Sequence, residues 1–146
     1  MSSHFEMLLV EDDAADIDLT QEALSTAGLH VNLNVVRNGT DALSYLHQQS
    51  PFQDTAAPDL ILLDLNLPGM SGKEIIREIR GDKKLCHIPI TVLTTSRSKQ
   101  DIEDSYKLGA NCYVSKPDSL DEFNQMIQAL EKFWFTVAKI PTRNIL

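Results

Sequence analysis

An open α/β sheet wound on both sides is the fold class this chain predicts, and three observations carry it. Strand and helix patterns alternate along the whole sequence. The strand runs are short and almost wholly apolar, as strands buried on both faces are. The runs also end on residues that ionise or hydrogen-bond rather than pack. Glu11-Asp12-Asp13 follows Met7-Leu8-Leu9-Val10, Asp64 closes Asp59-Leu60-Ile61-Leu62-Leu63, Thr94 ends Ile90-Thr91-Val92-Leu93, and Lys116 ends Cys112-Tyr113-Val114-Ser115. In an open parallel sheet all four ends meet at one crevice.

The first strand is predicted over Phe5 to Val10 and the first helix over Ala14 to Ala27, with Asp13 as N-cap and Gly28 as stop. Val31 to Val36 reads as the second strand. Asn38-Gly39 opens a helix through His47 on the apolar spacing of Ala42, Leu43 and Leu46. Gln48 to Pro58, with Pro51 inside it, is a longer surface loop. Asp59 to Asp64 is the third strand, and Ile75, Ile76 and Ile79 mark the inner side of a helix from about Ser71 to Arg80. Pro89 closes the connection to the fourth strand. Ser98-Lys99-Gln100-Asp101 has the spacing of an N-terminal cap, so a fourth helix runs to Leu108 and stops at Gly109. The fifth strand spans about Asn111 to Ser115, and a long helix follows from Ser119 to Ala138. Five strands alternating with five helices make a doubly wound five-stranded parallel sheet with helices on both faces. In the last helix, Leu120, Phe123, Ile127, Leu130, Trp134 and Val137 form the stripe that covers the sheet. Met126, Phe133 and Phe135 lie off it and mark an interaction surface, so a homodimer or a docked partner is expected there.

The 146 residues suit one domain, with a core over about 5–138 and a short tail over 139–146. A hydrophobic fraction of 42% and a charged fraction of 23% are those of an ordinary globular chain. No run spans a bilayer, and Met1-Ser2-Ser3-His4 does not begin a secretory signal, so a cytoplasmic protein is expected. A net charge of -8 argues against DNA, whose phosphates need clustered Lys and Arg. Cys86 and Cys112, without CxxC spacing, read as buried or partly buried free thiols.

Glu11, Asp12 and Asp64 near one point concentrate negative charge, which a hard divalent cation relieves. Magnesium there and the Lys116 ammonium would neutralise a phosphoryl group in transfer, the Thr94 hydroxyl would donate to it, and Asp64 would be the nucleophile. Each residue alone has a plainer reading: a Glu-Asp pair in a solvated loop, a strand threonine, a surface lysine before proline, an aspartate capping a turn. The four strand ends together overturn those defaults.

On Leu9-Val10-Glu11-Asp12-Asp13, Leu63 to Gly72, Leu93-Thr94-Thr95 and Tyr113-Val114-Ser115-Lys116-Pro117, the sequence resembles the receiver domain of two-component response regulators from residue 5 to about 135. The resemblance implies a flavodoxin-like sheet in the order 2-1-3-4-5 and Asp64 as phosphoacceptor. It implies magnesium bound by Glu11, Asp12, Asp64 and the Asn66 backbone carbonyl, with Thr94 and Lys116 on the phosphoryl group. Tyr113 matches the family's aromatic switch, which turns inward when Thr94 moves toward phosphate. Asn66 and Ser96 flank the approach of the hydrolytic water and tune lifetime, and Lys116-Pro117 is expected to be cis. Asp-Leu-Asn-Leu-Pro, the loop around Pro51 to Pro58, Leu85 to Pro89 and Leu93 to Ser96 look like the small regulators paired with bacterial phytochromes, which implies a histidine kinase partner and pairing through the last two helices and the fifth strand. Glu11 replaces a more frequent Asp, which implies magnesium reached through water, and the Thr95 methyl narrows access to Asp64. The function expected is a stand-alone receiver, not an enzyme, that relays a signal to a downstream protein by contact. A flavodoxin-like mononucleotide-binding protein shares the element order, although the acidic first loop would repel phosphate. A phosphate-insensitive adaptor of the same fold is the other alternative.

Overall fold

The computed structural model describes residues 5–25 and 31–141. Strands β1 (Phe5–Val10), β2 (Val31–Val36), β3 (Leu60–Leu63), β4 (Ile90–Thr94) and β5 (Cys112–Ser115) form one parallel sheet in the order β2-β1-β3-β4-β5. Its helices are α1 (Ala14–Ser25), α2 (Gly39–Leu46), α3 (Gly72–Arg80), α4 (Lys99–Leu108) and α5 (Leu120–Lys132), and a π-helical turn over Phe133–Val137 continues α5. The predicted end of the first helix, Ala27 and Gly28, lies outside the described residues.

Side chains alternate across each strand and so feed two cores. Leu8, Val10, Ile61 and Leu63 enter the layer closed by α2 and α3, where Ile75, Ile76 and Ile79 are fully buried. Phe5, Met7, Leu9, Leu60 and Leu62 enter the other, closed by Ile17 and Leu24 of α1 and Phe123 and Ile127 of α5. The predicted helix starts are closed by side-chain caps: Asn38 accepts from the Asp41 N–H at 2.8 Å, and Ser71 and Glu74 complete a reciprocal capping box that the sequence reading did not single out. At α4 only half the box forms, because Ser98 accepts from the Asp101 N–H while the shorter Asp101 carboxylate turns to Ser96 and Lys73. Gly109 ends α4 with φ 117°, a conformation that favours glycine. Helix α4 buries no apolar side chain, only Ser105. It is tied instead by Lys73 of α3 to Asp101 at 2.7 Å and Asp104 at 3.0 Å, and by the Tyr113 N–H donating to the Tyr106 hydroxyl. That makes it the helix least anchored by burial.

Both ends of the last helix depart from the predicted stripe. Leu120 and Val137 are exposed, while Glu131, one turn after Ile127, is fully buried with no hydrogen-bond partner on either carboxylate oxygen. Burial pushes its carboxyl above the ordinary glutamate range. A π turn carries more residues per turn than an α-helix and rotates the later side chains round the axis. Trp134 and Phe135 therefore both pack on the second core, with the Phe135 ring tilted by 40° against Phe5 at a centroid distance of 5.2 Å. Met126 is half-buried on the same core, whereas Phe133 stays 49% exposed. Cys112 is half-buried as expected, but Cys86 is exposed, because it sits in the connection after α3 rather than in an element. Among the described residues, no helix is long and apolar enough to cross a membrane.

Candidate functional site

The parallel ladder continues one residue beyond three strands and sets the site's backbone. The Glu11 N–H donates to Val36 O at 3.0 Å, the Asp64 N–H to Val10 O at 3.1 Å and the Lys116 N–H to Thr94 O at 2.7 Å. Because β1, β3, β4 and β5 are successive neighbours, these residues and Thr94 emerge side by side at one edge. All four are buried.

Lys116 is at the centre. Its ammonium donates to Glu11 Oε1 at 2.6 Å, Asp16 Oδ2 at 2.7 Å and Asp64 Oδ2 at 3.2 Å. Burial works against that charge, but the hydrogen bonds of Asp16 and Glu11 and the charges of Asp64 and Glu11 overcome it, so the lysine is held above its ordinary pKa. For Glu11, burial is the largest effect and pushes the carboxyl up to about 7 against the pull of Lys116, with the Asp64 charge adding to the rise. The cluster thus holds more negative charge than one ammonium relieves. Glu11, Asp12 and Asp64 each offer a carboxylate oxygen, all within 4.8 Å of one another, with Asp12 exposed. Hard oxygen donors of this number and spacing fit a hard divalent cation that keeps some of its water.

The loop after β4 is bound on several sides. Tyr113 is half-buried against the first core, and its hydroxyl donates to Ser96 O at 2.9 Å, alongside Ser115 Oγ at 3.2 Å. The Ser96 hydroxyl donates to Asp101 Oδ2 at 2.5 Å. Thr95 is exposed at the same rim. In the loop after β3, the Asn66 N–H donates back to Asp64 Oδ1 at 3.2 Å, while the Asn66 side chain is exposed. Gly72 lets α3 approach this loop, and its N–H donates to Leu65 O at 2.9 Å. Lys116-Pro117 is not cis: the cis X-Pro bond is Ser50-Pro51. The trans form is the cheaper one for X-Pro, and with it the Lys116 carbonyl accepts from the Arg97 guanidinium at 3.1 Å.

Asp16 and Arg97 escaped sequence reasoning, and Asp101 entered it only as the acid of a helix cap. Asp13 caps α1 by accepting from the Ala15 and Asp16 N–H groups, which puts Asp16 one helical repeat before buried Thr20. That i, i+4 relation to an inward threonine was the available signal. Met126, Phe133 and Phe135 lie well away from the carboxylates. Met126 and Phe133, with Cys112, Val114, Leu130 and Trp134, line an apolar groove between β5 and α5.

The response regulator receiver domain model matches residues 7–128. Response regulator Rcp1 of Synechocystis sp. is 42% identical over 135 residues, covering 92% of each chain. A crystal structure of the phosphorylated cyanobacterial phytochrome response regulator RcpA superposes with a TM-score of 0.92 at 42% identity, covering 96% of this chain and 100% of that one. The Mn(2+)-bound form of Rcp1 gives 0.89 at 40% identity over 94% and 99%. A sheet in this order, with its charged groups at the strand ends and with these relatives, places the chain in the response regulator receiver domain family.

Proposed function

We propose that residues 1–146 make one stand-alone receiver that accepts a phosphoryl group from the phosphohistidine of a partner kinase onto Asp64 and relays the signal by protein contact. The observation that carries the reading is the Asp64 carboxylate, buried at a strand end, with the Lys116 ammonium 3.2 Å from one of its oxygens. An Asp64 oxygen attacks phosphorus, the phosphorus–nitrogen bond of the donor breaks with its electron pair left on the imidazole, and an acyl phosphate forms. Lys116 follows the phosphoryl oxygens, and Thr94, at the neighbouring strand end, donates its hydroxyl to one of them. Glu11, Asp12, Asp64 and the Asn66 carbonyl would hold magnesium, which supplies charge neutralisation for the transferring group. Tyr113 reports the change through its bond to Ser96, and Asn66 and Ser96 govern the approach of water in dephosphorylation. The work is signal relay rather than turnover of a separate substrate.

The kinase proposed is a phytochrome, on the likeness to regulators of that kind. The setting proposed is the cytoplasm. Pairing as a homodimer is proposed through the apolar groove of β5 and α5, where Phe133 is exposed. A mononucleotide-binding role is disfavoured by three carboxylates in the first loop, where a phosphate would need N–H donors. Transfer of label from phosphorylated kinase, with magnesium and with chelator, tests the proposal. Magnesium-dependent labelling is expected, and none in either condition would refute it.

A further inference from the structure

We infer that Asp16 is a positioning residue for Lys116, holding its ammonium beside Asp64 when the other carboxylates are engaged elsewhere. The inference rests on the receiver reading and adds a residue to it. An ammonium has three N–H donors, and here each finds a different carboxylate: Glu11 at 2.6 Å, Asp16 at 2.7 Å and Asp64 at 3.2 Å. Two of these acceptors, Glu11 and Asp64, belong to the trio that fits a divalent cation, and Asp16 does not. Lone pairs given to a cation or to a new phosphorus bond are lost to the lysine. Asp16 is the partner that stays free to hold it. A buried ammonium left with empty donors on a flexible four-carbon stem would sample other rotamers, and the charge meant for the phosphoryl oxygens would no longer sit in place.

Asp16 is itself well placed for this. The Asp13 side chain fixes its N–H at 3.2 Å, its carbonyl accepts from Thr20 Oγ1 at 2.8 Å, and its carboxylate reaches inward over the end of β5. The plainer role for an acid in the first turn of a helix is to complement the helix dipole. That role needs charge near the backbone and no contact with Lys116. An aspartate 2.7 Å from a lysine that is 5% exposed, a hundred residues away in the chain, has the contact.

The test compares wild type, Asp16→Ala and Asp16→Asn, with thermal melts as a check on folding. In protein labelled with 15N-lysine and saturated with magnesium, which engages Glu11 and Asp64, the Lys116 ammonium is expected as a protected resonance in wild type and Asp16→Asn and as a lost or fast-exchanging one in Asp16→Ala. With magnesium and acetyl phosphate as donor, Asp16→Ala is expected to be phosphorylated about tenfold more slowly, the worth of one charge-assisted hydrogen bond. Asp16→Asn restores most of that rate, because its amide oxygen still accepts. An unchanged resonance and rate in Asp16→Ala would overturn the inference. So would an Asp16→Asn as slow as Asp16→Ala, since charge and not position would then be at work. If wild type itself takes no phosphoryl group, the receiver reading fails instead.

Discussion

Gly72→Ala tests how the acceptor loop is held. A Cβ at Gly72 would meet the Asp64 carbonyl oxygen and come within 2.6 Å of Leu65 Cα and 3.1 Å of the Asp64 carbonyl carbon. Carbon atoms sit comfortably at about 3.5–4.0 Å, so one backbone must retreat by roughly 1 Å. Helix α3 cannot yield cheaply, because Ile75, Ile76 and Ile79 are fully buried against the sheet. The loop carrying Asp64 therefore moves. Overpacking of this kind costs about 3 kcal/mol, a fall of roughly 6–12 °C in Tm for a chain of this size. A misplacement of about 1 Å at a reacting group costs roughly 100-fold in rate. Urea denaturation reads the first effect and the initial rate of phosphorylation by acetyl phosphate the second. A variant as stable and as quickly phosphorylated as wild type would refute both the packing argument and the positional demand on Asp64.

Three further outcomes are expected. The Glu131 carboxyl is raised by burial from an ordinary value of 4.5, so its contribution is fully present below that value and is lost as pH rises through the higher folded value. Glu131→Gln lacks this loss and gains stability relative to wild type as pH rises above 4.5; parallel stability curves would contradict it. Ser96→Phe removes the bond to Asp101 and fills the path of the hydrolytic water, so the acyl phosphate should decay at a different rate while phosphotransfer persists; equal decay would place the water elsewhere. Phe133→Asp puts a charge on the exposed aromatic of the β5–α5 groove and should weaken dimerisation by about 2 kcal/mol, or ~30-fold. Sedimentation at micromolar concentration reads it, and a wild type that is already monomeric would rule out the homodimer.

Much of the sheet was legible because its signals are local. Apolar runs ended by Glu11, Asp64, Thr94 and Lys116 announce both the strands and the edge at which they stop, and Asn38, Ser71, Ser98 and Gly109 punctuate the helices. What stayed hidden depends on distant parts of the chain or on changes of helical period. Asp16 reads as a first-turn acid until Lys116 is folded over it. Arg80 reads as a surface cation, yet it donates to the carbonyls of Gly109, Cys86 and Ile88 and to the Asn111 side chain, clamping the connections before β4 and β5. At the end of α5, a stripe extrapolated at 3.6 residues per turn fails once the helix becomes a π turn, and a glutamate occupies a position that periodicity would give to a leucine. Composition warns against burying Glu131, and only the tertiary packing places it there.

Mass spectrometry of wild type and Asp64→Asn after incubation with phosphorylated histidine kinase and magnesium addresses the central claim most directly. The account predicts a single added phosphoryl group on wild type, carried by the peptide that contains Asp64 and lost on treatment with hydroxylamine, and none on Asp64→Asn, whose amide is not a competent nucleophile. Equal labelling of the two proteins, or a phosphoryl group mapped to another residue of the wild type, would contradict it.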